Sequence, residues 1–158
     1  MNSHKLKLAM ALLTVFCCVQ LVHAQSSQPL AIIVNKSNTL DNLRQSELRR
    51  ILLGERKYWK DSEKITLLMP KEGSPEREST LEILRMNEAD YRKHWLGKVN
   101  AGEADGQPIS LPAAGTAVSL VSGASAAIAI IPLAAVRGSV KVLKIDGKLP
   151  TDPNYQLN

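Results

Sequence analysis

Hydrophobic and polar positions are arranged along the chain in blocks that predict strands alternating with helices. Four short apolar runs are typical of buried strands, and they cover residues 30–34, 65–69, 127–131 and 140–145. Polar segments between them carry apolar residues three and four positions apart, as amphipathic helices do; they cover residues 46–53, 75–86 and 88–99. Residues 116–122 are a candidate for a short apolar helix. Because parallel neighbours need crossover helices, this order predicts an α/β layered domain with a mostly parallel sheet flanked by helices.

The first predicted helix shows both its buried face and its end. Its inward residues have the spacing of one helix face, namely Leu48, Ile51 and Leu52. Ser46 is a candidate N-cap, and Gly54 is a natural C-terminal stop. Just beyond it, Trp59 is expected to cover the apolar end of this helix.

The next two predicted helices also carry apolar stripes. Leu81, Ile83 and Leu84 are expected to face inward from the second helix. Tyr91, Trp95 and Val99 follow one another at spacings of four in the third and form one stripe, in which we interpret Tyr91 and Trp95 as core residues. The segment 101–115 is rich in Gly, Pro and polar residues, and its length as a loop indicates either flexibility or a binding role.

The beginning of the chain has the organisation of a secretory signal. Lys5 and Lys7 form a positive region, and residues 8–21 are an apolar run too short to span a bilayer comfortably. Val-His-Ala at positions 22–24 matches a small-x-Ala cleavage site. We therefore expect cleavage near Ala24 and export to a bacterial periplasm; an uncleaved membrane anchor is the alternative reading.

Cleavage would leave residues 25–158, a suitable length for a single domain. Loss of Cys17 and Cys18 would leave no cysteine, so neither a disulfide nor a Cys-bound metal is expected. With Lys5 and Lys7 removed, the net charge is +3 (20 − 2 − 15), which favours anions without indicating nucleic acid. The aromatic content of 4% also argues against a surface that stacks on bases.

Motifs for catalysis are not found in the sequence. After cleavage His94 would be the only histidine, and it lies beside Arg92 and Lys93 in a basic segment, where a solvated or packing role is the usual one. The sequence contains no G-x-S-x-G elbow, H-E-x-x-H motif or phosphate-binding P-loop. We therefore expect a protein that is not an enzyme, with no catalytic residue, metal site or cofactor.

The turn between the second strand and the second helix is the best candidate for an anion site. Gly73 permits a turn with positive φ, Ser74 can cap the helix, and Pro75 suits its first position. Free N–H groups at a helix start can meet an anion. The same residues also make an ordinary helix start, and both interpretations remain open.

Charges around this turn act in both directions. Lys71 and Arg77 would add charge-assisted contacts to an anion, and the N–H groups of Glu76 and Arg77 are free donors. Pro75 lacks an N–H group, however, and the Glu76 side chain brings a negative charge to the same place. The candidate anion ligands here are therefore Lys71, Gly73, Ser74 and Arg77.

A second group of candidates follows the first strand. Ser37, Asn38 and Thr39 come directly after the apolar run 30–34. Ligands of open α/β sheets gather at the carboxyl ends of the strands, so these side chains are expected opposite Ser74. Their alternative role is as turn-forming residues at the end of a strand.

Several segments together resemble the periplasmic phosphate-binding proteins of ABC importers, which have the type II solute-binding fold. The segments are IIVNKSNTL, LRQSELRRILLGERKYW, ITLLMPKEGSPERESTLEIL, AAIAIIPLAAV and VKVLKIDGKLP. They are similar to the family's VVVNPxNP strand end, its sLtxxqLrxIFxGkxxxW helix and loop, its dGSG turn and its pGAIGYV strand. The resemblance covers roughly residues 30–150, and it implies the fold of one lobe of such a protein.

The chain departs from the family pattern at several ligand positions. Family members have two lobes that close on the anion, whereas this chain resembles the crossing strand and much of one lobe. Pro70 stands where an arginine is common, Pro75 replaces a turn glycine and Glu76 a threonine. Ser74 matches the family's turn serine. A short, single-domain relative of the phosphate binders is therefore the expectation.

Two hypotheses about function follow from the resemblance. The first is a secreted, non-catalytic protein that binds phosphate or another small oxyanion and is accessory to phosphate ABC transport. The second is a module that keeps the fold without a ligand and binds an envelope protein, such as a transporter component or a sensor. The sequence leaves the oligomeric state open, although a homodimer would supply a second wall.

Overall fold

A computed structural model describes residues 28–60, 62–155 and 157 of the chain. The predicted signal segment 1–24 lies outside the described residues. The strands are β1 (Leu30–Asn35), β2 (Asn42–Leu43), β3 (Thr66–Pro70), β4 (Ile109–Leu111), β5 (Ala127–Pro132), β6 (Val140–Val142) and β7 (Lys144–Ile145). The helices are α1 (Gln45–Leu52), α2 (Pro75–Leu84), α3 (Glu88–Asn100) and α4 (Ala114–Gly123), with a 3₁₀ turn at Leu133–Ala135.

The main sheet confirms the predicted α/β architecture. Its five strands are ordered β4-β3-β5-β1-β6. Strand β3 is parallel to both β4 and β5, whereas β1 is antiparallel to both β5 and β6. Four strands therefore run in one direction and β1 alone is reversed. An apolar run predicts that a strand is buried but carries no information on its direction, so the reversal could not be predicted.

Two short strands form a separate parallel pair, β2 with β7. The predicted strand 140–145 is thus divided between two sheets, because Val140–Val142 pairs with β1 and Lys144–Ile145 with β2. Neither β2 nor β4 was expected from the sequence. Each has only two or three residues, too few for an apolar pattern to appear.

Helices cover both faces of the main sheet. On one face, buried residues of α1, α2 and α3 pack with Ile32, Val34 and Met69. On the other, Ala117 and Val121 of α4 pack with alternate strand residues, including Ile33. Adjacent residues of β1 therefore serve opposite layers, as the alternation of side chains along a strand requires.

Helix α1 confirms the predicted buried face and corrects its start. Leu48, Ile51 and Leu52 are buried. The N-cap is Arg44 and not Ser46, because the Glu47 carboxylate accepts the Arg44 backbone N–H at 3.0 Å. Gly54 ends the helix with φ +65°, and its N–H donates to the Ile51 carbonyl, as predicted for a glycine stop.

The aromatic residues are placed largely as predicted. Tyr91 and Trp95 are buried and form an edge-to-face pair with ring centroids 6.3 Å apart. Trp59 is also buried, in the same cluster as the apolar residues of α1, and its indole N–H donates to the Ala126 carbonyl at 3.0 Å. Its neighbour Tyr58 is exposed. Among the described helices, none has the length and apolar character needed to cross a membrane.

Candidate functional site

The turn between β3 and α2 is built by three local features. The Ser74 backbone N–H donates to the Lys71 carbonyl at 3.1 Å and closes the turn. Gly73 adopts φ +76°, a conformation that a residue with a Cβ atom rarely adopts. The Ser74 hydroxyl oxygen accepts the Arg77 N–H at 3.2 Å, and Pro75 occupies the first helical position. Helix capping by Ser74 is therefore confirmed.

Capping does not use all the hydrogen-bonding capacity of this turn. A serine oxygen that accepts one hydrogen bond still has its own O–H group to donate. The N–H of Glu76, at the second helical position, precedes the first residue that an intrahelical carbonyl can pair. The Ser74 hydroxyl and the Glu76 N–H are thus available to a ligand beside the turn.

A cleft of about 170 Å³ lies at the carboxyl ends of β3, β4 and β5, beside this turn. One wall contains Lys71, Ser74 and Glu76. The opposite wall is formed by the end of β4 and the first turn of α4, including Leu111, Ala113 and Ala114. This is the sheet edge where open α/β sheets usually bind ligands.

Helix α4 brings a second set of backbone donors to the cleft. Its N-cap is Ala113, which provides no side-chain hydrogen bond. The first N–H with an intrahelical partner is that of Ala117, which donates to the Ala113 carbonyl at 3.3 Å. The N–H groups of Ala114, Gly115 and Thr116 precede it. Two helix N-termini, each carrying a partial positive charge, therefore start at one cleft.

The sequence did not single out α4 as part of the site. It has no N-capping side chain and no charged residue in its first turn, so no polar signal marks it. The available clue was its position, since the loop before it ends at the same sheet edge as β3. That inference needed the pairing of β4 with β3, which the sequence did not reveal.

Arg77, predicted as an anion ligand, is not among the residues that line the cleft. Its guanidinium donates two hydrogen bonds to the Glu88 carboxylate, at 2.9 and 2.8 Å. It also lies over the Tyr91 ring, 4.7 Å from the centroid. Arg77 is 8% exposed, and its guanidinium links α2 to α3 through these contacts.

This ion pair shifts the pKa of its acidic partner. Hydrogen bonds from Arg77 lower the pKa of Glu88, against an opposing effect of burial. Burial also raises the pKa of Tyr91 to about 12, and its hydroxyl donates to the Leu52 carbonyl at 3.1 Å. The Arg77–Glu88–Tyr91 cluster is therefore structural at neutral pH.

Ser37, Asn38 and Thr39 lie at the opposite edge of the main sheet from Ser74. Strand β1 is antiparallel to β5, whereas β3 is parallel to it, so β1 ends where β3 begins. The expected juxtaposition with the Ser74 turn is therefore not found, and its physical cause is the reversal of β1. Phosphate-type contacts from these residues would have to occur away from the cleft.

The polar groups after β1 have local partners. Asn35 donates through its amide to the carbonyls of Val121 and Ser122, both at 2.9 Å, and so closes the C-terminus of α4. Its amide oxygen accepts the N–H and the hydroxyl of Ser37, at 2.9 and 2.8 Å. Asn38 accepts the Leu40 N–H at 2.9 Å. These contacts correspond to the turn-forming alternative.

The long loop before β4 covers a second cavity, of about 310 Å³, at the amino end of β3. The Lys57 ammonium donates to the Glu103 carbonyl, Lys64 pairs with Asp105, and Lys98 pairs with Glu103. The charges lining this cavity thus largely hold the loop in place.

His94 packs rather than facing a cleft. Its ring nitrogen Nε2 lies 2.9 Å from the Leu53 carbonyl, and its ring meets Trp95 edge to face. Within the described part of the chain, no three His, Cys, Asp or Glu side chains are grouped as a metal site would require.

The fold is similar to part of several solved solute-binding proteins. The chain is similar to an ABC-type phosphate transport receptor from Vibrio cholerae, with TM-score 0.64 and 21% identity. It is also similar to a phosphate ABC transporter substrate-binding protein with bound phosphate from Clostridium perfringens (TM-score 0.62, 24% identity) and to PstS from Borrelia burgdorferi (0.63, 19%). No protein-family model and no curated protein sequence matches the chain.

The similarity is to part of each receptor. The alignments cover 78%, 76% and 78% of this chain and 48%, 46% and 49% of the three receptors. The chain thus spans about half the length of the receptors it matches. This agrees with the predicted architecture of one lobe.

Proposed function

We propose that this protein is an exported, non-catalytic protein that binds a small oxyanion of the phosphate type in the cleft between β3, β4 and β5. The observation that carries the proposal is the convergence of two helix N-termini, those of α2 and α4, on one cleft beside Lys71. Backbone N–H groups at helix starts favour negative charge. The fold adds support, since two of the similar structures are described as a phosphate transport receptor and as a phosphate ABC transporter substrate-binding protein with bound phosphate.

The ligand contacts in this proposal are fewer than those predicted from the sequence. Lys71 supplies the cationic side chain, Ser74 its hydroxyl, and the first turns of the two helices their N–H groups. Gly73 gives the turn its conformation. Arg77, Ser37, Asn38 and Thr39 are not included, because Arg77 is paired with Glu88 and the other three lie at the far sheet edge.

Calorimetric titration of the protein purified after export, with phosphate and sulfate at low salt, tests the proposal. We expect saturable binding that is weakened about tenfold by Lys71→Gln, because a charge-assisted contact contributes roughly 1.5–3 kcal/mol. Lys144→Gln is the matched control, an exposed lysine outside the lining of the cleft. Absence of binding by any oxyanion, or equal loss in the two variants, would reject the cleft as the site.

We further propose an accessory role beside a phosphate ABC importer, for which the named receptors are the precedent. The experiment is affinity capture from envelope extract with and without phosphate. Capture of an importer subunit only when phosphate is present would support the role. Phosphate-independent capture of another envelope protein would favour the ligand-free module instead.

A further inference from the structure

The cleft has an apolar half that inorganic phosphate would leave unused. Of the described side chains that line it, only those of Lys71, Ser74 and Glu76 are polar. The remaining walls are aliphatic and come from the ends of three strands and the first turn of α4, as with Leu111, Ala114 and Ile131. Ligand sites commonly combine a few placed polar groups with such an apolar lining.

The size of the cleft also favours a ligand larger than inorganic phosphate. Its volume is about 170 Å³, and an apolar cavity of roughly 150 Å³ is sufficient for benzene. A phosphate ion is smaller than benzene and carries no apolar group. Such an ion held at the Ser74 turn would leave the space beside Ala114 and Ala117 without a suitable occupant.

The charge of the cleft favours a ligand with a single negative charge. Lys71 is the one cationic side chain among the described lining residues, and the Glu76 carboxylate belongs to the same wall. Arg77, the nearest further cation on α2, is held by two hydrogen bonds to Glu88. The second charge of a dianion would therefore meet repulsion from Glu76, with no second cationic side chain among the described lining residues to offset it.

We infer that the ligand is a singly charged oxyanion carrying a compact apolar group, an inference that rests on the oxyanion binding proposed above. The oxyanion head lies at Lys71, the Ser74 hydroxyl and the backbone N–H groups of the two helix starts. The apolar group lies against Leu111, Ala114 and Ala117. Short-chain carboxylates and small dialkyl phosphates both have this chemistry, and the titrations below separate them.

The test compares four probes by calorimetry on the protein purified after export, at pH 8, where inorganic phosphate is mostly dianionic. The probes are butyrate, diethyl phosphate, inorganic phosphate and sulfate. We expect one or both organic monoanions to bind at least tenfold more tightly than the two inorganic ions. Preference for butyrate assigns a carboxylate ligand, and preference for diethyl phosphate assigns a phosphodiester.

Two variants separate the apolar wall from the charge. Ala114→Leu narrows the apolar half of the cleft, so it should weaken binding of the preferred organic probe at least fivefold more than it weakens binding of phosphate. Ala124→Leu, at an exposed position beyond the other end of α4, is its matched control. Glu76→Gln should strengthen phosphate binding several-fold more than it strengthens binding of the organic probe.

The titrations distinguish failure of the proposed oxyanion binding from failure of the inferred apolar ligand class. If no probe binds, oxyanion binding itself is rejected, and this inference with it. If phosphate binds as tightly as the organic probes, or if Ala114→Leu weakens binding of phosphate and of the preferred organic probe equally, the oxyanion site remains and the apolar ligand class is rejected.

Discussion

At the scale of single residues, two arginines that look alike in the sequence are expected to contribute differently to the stability of the fold. Arg77 and Arg92 each pair with a glutamate. The Arg77 side chain is 10% exposed and makes two hydrogen bonds to Glu88, whereas the Arg92 side chain is 58% exposed. Exposed ion pairs contribute about 0–1 kcal/mol, and removing one partner of a buried pair costs several times more.

Replacing Arg77 should therefore affect stability and not ligand binding. We expect Arg77→Ala to lower the free energy of unfolding by about 2 kcal/mol, because the Glu88 carboxylate loses its charged donor. Arg92→Ala should lower it by less than about 1 kcal/mol. Urea denaturation measures both changes. A large loss of anion affinity in Arg77→Ala, with its fold intact, would show that Arg77 contributes to anion binding.

The depressed pKa of Glu88 predicts a pH dependence with a defined sign. In the folded state Arg77 lowers this pKa below its ordinary value, so the pair stabilises the protein above the usual glutamate pKa of about 4.3. That stabilisation is lost as the pH falls through the lower folded value. In urea denaturation between pH 7 and pH 3, the free energy of unfolding should fall less with acid in Glu88→Gln than in the unmodified protein. An unchanged profile would contradict the assignment.

At the scale of elements, burial was easier to predict than pairing. The apolar runs that became β1, β3 and β5 and the stripes of α1, α2 and α3 were evident, because burial leaves a periodic signal in a sequence. Strand direction and short strands leave no such signal. The reversal of β1 separated Ser37 from Ser74, and the pairing of β4 brought α4 to the cleft. The strand order and directions therefore decide which of the predicted site residues lie at the cleft.

The end of α1, at Gly54, packs closely against the Trp95 ring of α3, and two glycine variants test this contact. A Cβ atom on Gly54 would lie 2.5 Å from the Trp95 ring, whereas one on Gly102 would meet nothing within 4 Å. Both glycines have similar positive φ, +65° and +69°. We expect Gly102→Ala to cost about 1 kcal/mol of backbone strain and Gly54→Ala about 3 kcal/mol.

Chemical denaturation of the two variants separates the contributions. The difference between them measures the steric contact of Trp95, since the backbone penalty is shared. Equal losses would mean that the Trp95 ring moves aside at little cost, and that the packing of α3 on the end of α1 is looser than the contact indicates.

At the scale of the whole molecule, both walls of the cleft are attached to neighbouring strands of one sheet. Helix α2 follows β3 and helix α4 follows β4, and these strands are paired in register at Leu68–Ile109, Met69–Ser110 and Pro70–Leu111. The walls therefore cannot close on a ligand as two independent lobes would. Any further enclosure of the ligand must come from outside this sheet.

This arrangement predicts how the molecule responds to a ligand in small-angle X-ray scattering. A compact domain of the 134 residues that the predicted cleavage would leave (158 − 24) has a radius of gyration of about 14 Å. We expect the same value with and without a saturating oxyanion, because no lobe moves. A rise towards about 18 Å on addition of the oxyanion, the value for a compact body of twice the length, would instead show that a second copy covers the cleft. Lys71→Gln is the control, since a rise caused by the ligand should then need a higher oxyanion concentration.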